Sequence, residues 1–291
     1  MNKADKTHYE ILKRLLSKEA YSDEGQQVRP KYQDGTPAHT RFITNVVQEY
    51  DISKGEFPIT SLRPIAWKSG INEIRWIYAD ASNDLNLLRD KYNIHYWDEW
   101  DIGDGTIGQR YGATVRKYDL MNNLLKDIKE NPYGRRHIMS LWQEEDFLTK
   151  GLNPCCFMTI WVVRGEYLDC TLIQRSSDFI VSACINEMQY VSLMMMVAKA
   201  TGYKSGKFTH YTANLHIYDR HIDNANELIK RYEALERDEI IKQSINPTYK
   251  PVQPKLIFSP KSDNFYDFTI EDFEMVDYEP KLPNLKFELG V

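Results

Sequence analysis

Long apolar runs are missing from this 291-residue chain. The longest strongly apolar stretch, Tyr190–Ala198, falls well short of the ~20 residues that cross a bilayer. Behind the opening Met1-Asn2-Lys3-Ala4-Asp5-Lys6 lies no apolar segment of the kind a secretory leader carries. Both absences lead us to expect a cytoplasmic protein without a membrane partner. Positive charge is also short, with 37 Lys+Arg against 42 Asp+Glu and a net charge of −5. That balance argues against a broad nucleic-acid surface and leaves room for a local basic pocket. The 14 glycines and 12 prolines are too few for a fibrous or low-complexity chain. Cysteine is scarce: Cys155, Cys156, Cys170 and Cys184 have no CxxC spacing, and the histidines are scattered. Neither a zinc site nor a disulfide framework is suggested, so no metal is expected. A cysteine that matters here matters as a thiol.

What is present is ordinary core material. Apolar residues make up 42% and aromatics 12%, which excludes disorder over most of the length. Ile11, Leu12, Leu15 and Leu16 share one face of an amphipathic helix within the first twenty residues. Residues 22–40 are polar and turn-rich and read as a loop, and 41–50 as a strand. Residues 69–79 predict a helix apolar on more than one side. A polar, aromatic-rich region follows to about Tyr118, then an amphipathic helix over Leu120–Glu130, stopped at Asn131-Pro132. His137–Trp142 reads as a strand. Phe157–Val163 and Tyr167–Gln174, flanking Arg164-Gly165-Glu166, read as a hairpin. Glu187–Ala200 predicts a long buried helix whose Met194-Met195-Met196 run is core filler. Lys207–Tyr218 reads as a strand and Asp223–Lys242 as a charged helix, before a segment with four prolines between 247 and 260. Strands and helices mix without regular βαβ alternation and without repeats or linkers. The fold class is α+β: one domain, a mixed sheet with surrounding helices.

The chemistry gathers around Leu152-Asn153-Pro154-Cys155-Cys156 and Gln174-Arg175-Ser176-Ser177-Asp178. If the hairpin forms, Cys155 and Arg175 stand at the same open end. A thiolate is the nucleophilic form, and a neighbouring guanidinium favours it by opposing charge. From this pattern alone the alternative stays open that Cys155 is a small packed hydrophobe. Glu73 sits on the otherwise apolar helix 69–79, where a carboxylate is costly unless it is paired, and this points to function.

These residues carry a resemblance. Leu152-x-Pro154-Cys155, Gln174-Arg175-Ser176-x-Asp178, Asn186 and His216-x-Tyr218 resemble the thymidylate synthase family, with the Cys155-to-Arg175 spacing matched without a gap. Phe57-Pro58-Ile59-Thr60, the Glu73 helix, Trp97-Asp98-Glu99-Trp100, Tyr111-Gly112 and Gly134-Arg135-Arg136-His137-Ile138 match in the family's order. The stretch Val28–Thr40 resembles a longer loop of some bacterial members. The likeness covers nearly the whole chain.

The resemblance implies a single catalytic domain over 1–291, closed by a C-terminal tail over 280–291, in a homodimer formed through the sheet. It implies that the Cys155 thiolate adds to C6 of a 2′-deoxypyrimidine 5′-monophosphate, making C5 a nucleophile toward the one-carbon unit of 5,10-methylenetetrahydrofolate. Cys156 stands where many members have His and carries no catalytic role. The phosphate would be held by Arg29, Arg175 and Ser176 from one subunit and by Arg135 and Arg136 from its partner, with Arg175 also favouring the thiolate. Arg suits a phosphate because its planar fork binds two oxygens. Asn186 would read the base, since a side-chain amide both donates and accepts and pairs with O4 and N3–H of uracil. A carboxylate there suits cytosine, as in the deoxycytidylate hydroxymethylases, so Asn points to dUMP. His216 and Tyr218, two apart on one strand face, would hold the sugar 3′-hydroxyl. Glu73 would drive proton movements through ordered water, and Tyr111 would stand near the C5 proton. Asp178, Trp97 and Val291 would contact the folate.

The chain also departs from the family. Where most members read x-x-Leu-Gly-x-Pro-Phe-Asn after the aspartate, this one reads Phe179-Ile180-Val181-Ser182-Ala183-Cys184-Ile185-Asn186. Thr212-Ala213-Asn214-Leu215 replaces Gly-Gly-Asp-Thr. These changes cluster on the folate and base side. The leading expectation is thymidylate synthase, dUMP to dTMP with carbon and hydride both from the folate. The alternative is a dUMP 5-hydroxymethylase, in which water captures the methylene intermediate. Hydride transfer needs a dry pocket, whereas hydration needs one ordered water. A member that has lost catalysis and binds nucleotide or RNA is disfavoured by the intact Cys155, Glu73, Tyr111 and Asn186, and no specific nucleic acid is expected as a partner.

Overall fold

The computed structural model describes residues 1–290. Asn2 caps the first helix, α1 (Lys3–Leu16), by accepting the Asp5 backbone N–H at 2.7 Å. Its Ile11, Leu12 and Leu15 face inward, as their spacing predicts. After β1 (Tyr21–Ser22) the chain loops to β2 (Thr40–Asp51) and then to α2 (Trp67–Tyr78). The region to Tyr118 holds two helices that sequence reading left out, α3 (Leu85–Tyr92) and α4 (Gly112–Lys117). Both are too short to show a period, and tertiary packing decides them. Then come α5 (Leu120–Glu130), β3 (Ile138–Ser140), β4 (Cys156–Arg164), β5 (Tyr167–Asp178), α6 (Cys184–Thr201), β6 (Lys204–Tyr218) and α7 (Ile222–Ile245). A small hairpin of β7 (Lys255–Phe258) and β8 (Phe273–Val276) follows the proline-rich segment.

The main sheet has the order β1-β2-β6-β5-β4-β3. β4 and β5 form the expected antiparallel hairpin, and β5 and β6 run parallel, joined by the crossover helix α6. The sheet is therefore mixed. One face carries Trp161, Cys170, Leu172 and Phe208 into the main core, which includes α2 and α6. At the β2–β6 end the opposite face is covered as well, where Ile43, Leu215 and Ile217 pack under α1 and α7. The turn Phe179–Ala183 with α6 is long and apolar enough to cross a membrane, but most of it is buried in this core, Met194 and Met196 completely so.

Candidate active site

A cleft of about 650 Å³ opens where the ends of β5 and β6 meet α2, the start of α6 and two long connections. Strand alternation builds its floor. Ser176, Asp178, Asn214, His216 and Tyr218 line it from the two parallel strands, with Gln174 deeper in. Of the residues expected in the site, Cys155, Glu73, Tyr111, Trp97, Arg175, Asn186, Arg29, Ser176, Asp178, His216 and Tyr218 all line this one cleft. Arg135 and Arg136 do not. They are exposed, and Arg136 borders a separate groove beside α5. Val291 lies outside the described residues, while Leu289 and Gly290 before it close one side of the cleft.

Cys155 stands just before β4, next to a β-bulge at Cys156–Met158. Its N–H donates to the Tyr111 hydroxyl at 3.1 Å, and its carbonyl accepts the Arg175 N–H at 3.0 Å. Thiol and guanidinium thus share the open end of the hairpin. The Arg175 side chain donates to the carbonyls of Pro154 and Asn153 at 3.0 and 2.8 Å, which fixes the turn bearing the thiol. Burial pushes the Cys155 thiol up, and Arg175 and Arg29 pull it down by less. Arg175 thus favours the thiolate, but desolvation outweighs it. Cys156 points the other way, into the core, and burial raises its thiol far above the ordinary range.

Tyr111 adopts φ 48°, unusual for a residue with a side chain. The neighbouring glycine explains the close packing there. A Cβ on Gly112 would lie 2.1 Å from the Ser82 carbonyl oxygen. Because the Tyr111 oxygen accepts from Cys155, its own proton remains available to the cleft. Glu73, buried on α2, accepts from the Trp97 indole at 3.0 Å, the Tyr96 hydroxyl at 2.6 Å and the Gln189 amide at 2.7 Å. Burial still holds its carboxyl above the usual range. The costly carboxylate is thus paired, as required.

Asn186 donates to Gln189 Oε1 at 3.0 Å and accepts from Gln174 Nε2 at 3.2 Å. Each amide atom keeps one further hydrogen-bonding position. Asp178 accepts from the N–H groups of Ile180 and Val181 and caps the turn into α6. Burial raises its carboxyl, against the pull of His216 and His221. Burial lowers the His216 imidazole against the pull of Asp178, its Nδ1 pairs with Asn214 at 2.9 Å, and Tyr218 is pushed up to about 12 by burial and Asp178. The altered segment after Asp178 forms a wide π-type turn. Phe179 and Ile180 are buried in the core, and Val181, Ser182 and Ile185 face the cleft.

Sequence reading assigned no role to Gln174, Gln189, Tyr96 or Trp100. Gln189 is three residues beyond Asn186 on the same helix face, a signal that was available. The pairing of Tyr96 with Glu73 arises only in the folded chain.

A thiol, a buried carboxylate, an amide, two guanidinium groups and an aromatic wall, gathered on an α+β sheet, define a thiol enzyme for a small anionic ring-bearing substrate. The thymidylate synthase family model matches residues 18–291. A thymidylate synthase of Streptococcus pneumoniae strain 70585 is 49% identical over the full length of both chains, and one of Streptococcus gordonii is 48% identical over the full length. The solved structure of the thermostable thymidylate synthase A from Bacillus subtilis superposes with a TM-score of 0.86 at 33% identity, covering 99% of each chain. The chain belongs to the thymidylate synthase family.

Proposed function

We propose that this protein is a thymidylate synthase, converting dUMP to dTMP with 5,10-methylenetetrahydrofolate as donor of both carbon and hydride. The observation that carries the reading is the convergence of Cys155, Tyr111, Glu73 and Asn186 in one cleft with Arg29 and Arg175 at its rim. In this reading Arg29, Arg175 and Ser176 hold the phosphate, and His216 and Tyr218 hold the 3′-hydroxyl. The Cys155 thiol gives up its proton to water and its sulfur bonds to C6, with Arg175 and Arg29 favouring the thiolate by opposing charge. Electron density then moves to C5, which bonds to the methylene carbon of the folate as one of that carbon's bonds to nitrogen breaks. As the C5 proton leaves, the Tyr111 hydroxyl takes it and passes its own through water to the Glu73 carboxylate. The bond from the methylene carbon to the folate then breaks, and a hydride from the released tetrahydrofolate reduces that carbon to methyl. The C6–sulfur bond breaks, freeing dTMP and dihydrofolate and returning the Cys155 thiolate. Asn186 donates to O4 and accepts from N3–H. The folate lies against Trp97, with the Asp178 carboxyl at its ring edge.

The altered segment 179–185 favours reduction over hydration once its placement is considered. Its aromatic residue is spent on the core, and the cleft keeps apolar Val181 and Ile185 beside Trp97 and Trp100. The relatives reported above are all called thymidylate synthases. Incubation with dUMP and methylenetetrahydrofolate should give dTMP by mass and an equal amount of dihydrofolate by absorbance. A 5-hydroxymethyl product without dihydrofolate would overturn the reduction step.

The same proposal includes a homodimer in which Arg135 and Arg136 reach the partner's phosphate. Their exposure away from their own cleft supports it. So does the outward sheet face, where Val47, Tyr211, Ile173, Ile160 and Val162 form a continuous apolar band, with Val47 and Val162 more than half exposed. A cytoplasmic location belongs to the same reading, supported by the burial of the one membrane-length helix among the described residues.

A further inference from the structure

Behind the cleft lies a buried acid–imidazole pair that the reaction scheme above does not use. His210 on β6 and Glu187 on α6 are both buried, with Nδ1 3.3 Å from Glu187 Oε1. On its other side His210 Nε2 lies 2.8 Å from Gln174 Oε1 and 3.2 Å from the Thr212 hydroxyl. Tyr50 approaches the second Glu187 oxygen at 3.4 Å. We propose that Glu187 and His210 are positioning residues for base selection: together they hold a proton on His210 Nε2, which fixes the Gln174 amide and through it the face that Asn186 turns to the pyrimidine. The inference rests on the reading of Asn186 as the base contact.

The direction of each bond follows from groups that have only one choice. The Gly70 carbonyl can only accept, and it accepts a hydrogen bond from Gln189 Nε2 at 3.2 Å. Gln189 must therefore offer its oxygen to Asn186, whose Nδ2 donates at 3.0 Å. Asn186 then turns its oxygen to Gln174, whose Nε2 donates to it at 3.2 Å and to the Ser176 carbonyl at 3.0 Å. The Ser176 carbonyl also can only accept, so the chain is pinned at both ends. Gln174 is left presenting an oxygen to His210, and Nε2 must carry a hydrogen.

That condition decides the protonation of the pair. An imidazole with its single proton on Nε2 would aim the Nδ1 lone pair at an ionised Glu187, two acceptors face to face. One more proton is needed between Nδ1 and Oε1, either as imidazolium with carboxylate or as imidazole with carboxylic acid. Both forms are neutral overall and both keep Nε2–H, so both hold Gln174 in the same orientation. Without Glu187 the neutral ring is free to put its proton on Nδ1, and Gln174 would then face a lone pair. Turning Gln174 and Asn186 over would offer cytosine its matching pattern, a donor to N3 and an acceptor to the amino group, and would spoil the fit to uracil.

The test uses the full-length enzyme. With selectively ¹⁵N-labelled histidine, the His210 ring, assigned by its absence in His210→Gln, should show a protonated Nε2 at neutral pH. A bare Nε2 overturns the proposal whatever the variants do. In kinetics, Glu187→Leu should lower the preference for dUMP over dCMP by about tenfold, the worth of one misdirected hydrogen bond. The change should sit in KM for dUMP, with kcat for dTMP nearly kept. Glu187→Gln, whose amide can donate to Nδ1, should stay within about twofold of the parent in the same ratio. An unchanged preference in a folded Glu187→Leu, or equal loss in both variants, overturns the proposal. Should Glu187→Leu fail to fold, the nitrogen spectrum of the parent and the Glu187→Gln ratio decide. Failure of the parent to make dTMP would instead sink the functional reading and leave the spectrum to judge the pair.

Discussion

At Cys155 two effects oppose each other: burial favours the thiol, and Arg175 and Arg29 favour the thiolate. Cys155→Ser should abolish turnover, by about 10³-fold or more, because a hydroxyl is a poor nucleophile at neutral pH. Nucleotide binding by calorimetry should survive. Cys156→Ser should keep most activity, since that thiol is packed in the core. The opposite pattern would move the nucleophile by one residue. His8 offers a residue-scale test of stability. It stacks on Phe179 with ring centroids 4.2 Å apart, and burial drops its pKa from 6.5 to about 3. Above pH 6.5 neither the folded nor the unfolded chain holds this proton. Below that, the unfolded chain binds it first, so stability falls with acid until the folded ring also titrates. Each such proton adds a slope of about 1.4 kcal/mol per pH unit. His8→Phe should therefore lose less stability than the parent between pH 6.5 and 5 in denaturant melts at fixed protein concentration. Parallel losses would exclude His8 as the titrating group.

At the scale of elements, the tail after Pro283 is strapped along the start of α7. Arg231 donates to the Pro283 carbonyl and Asn224 to that of Lys286, both at 2.8 Å, and His221 pairs with the Glu288 carbonyl at 2.8 Å. Arg220 ties this strap to the loop that carries Arg29. One of its nitrogens meets the Glu288 carboxylate, the other meets Asp34 and Thr36, and its plane lies 4.0 Å over the Tyr32 ring. The loop carrying Arg29 and the tail therefore share an anchor. Arg220→Ala should raise KM for the folate by about fivefold, the scale of a few exposed ion pairs, and change kcat less. Initial rates at saturating dUMP measure this. An unchanged folate KM would mean that the strap closes without Arg220. The strap was legible only in part. The pairing of Cys155 with Arg175 could be read because a hairpin translates sequence distance into geometry, whereas Asn186 was placed by the family resemblance. The Asp34–Arg220 and Gln189–Glu73 contacts join residues 186 and 116 positions apart, and no local period encodes them. For the same reason α3 and α4 escaped notice while α5, with its regular apolar face, was read to the residue.

At the scale of the whole molecule, one protomer leaves two things unfinished. Its sheet turns an apolar band outward, and Arg135 and Arg136, which the family resemblance joins to the phosphate, do not line its own cleft. The two-fold pairing through the sheet proposed above would resolve both, because an isologous contact would bury the same band on each copy and bring each subunit's arginines toward the other's cleft. This arrangement predicts complementation between disabled subunits. Arg135→Ala keeps its thiol but supplies no arginine to its partner, and Cys155→Ala supplies the arginine but has no thiol. In a mixed dimer, the cleft of the Arg135→Ala subunit has its own Cys155 and receives Arg135 from its neighbour, so it is whole, while the second cleft lacks both groups. Random exchange of equal amounts makes half the dimers mixed, each with one working cleft of two, so activity should return to about a quarter of the parent's. The mixture must first be shown to exchange, for instance by mass spectrometry of tagged subunits. Exchanged dimers with no recovered turnover would mean that Arg135 acts within its own subunit.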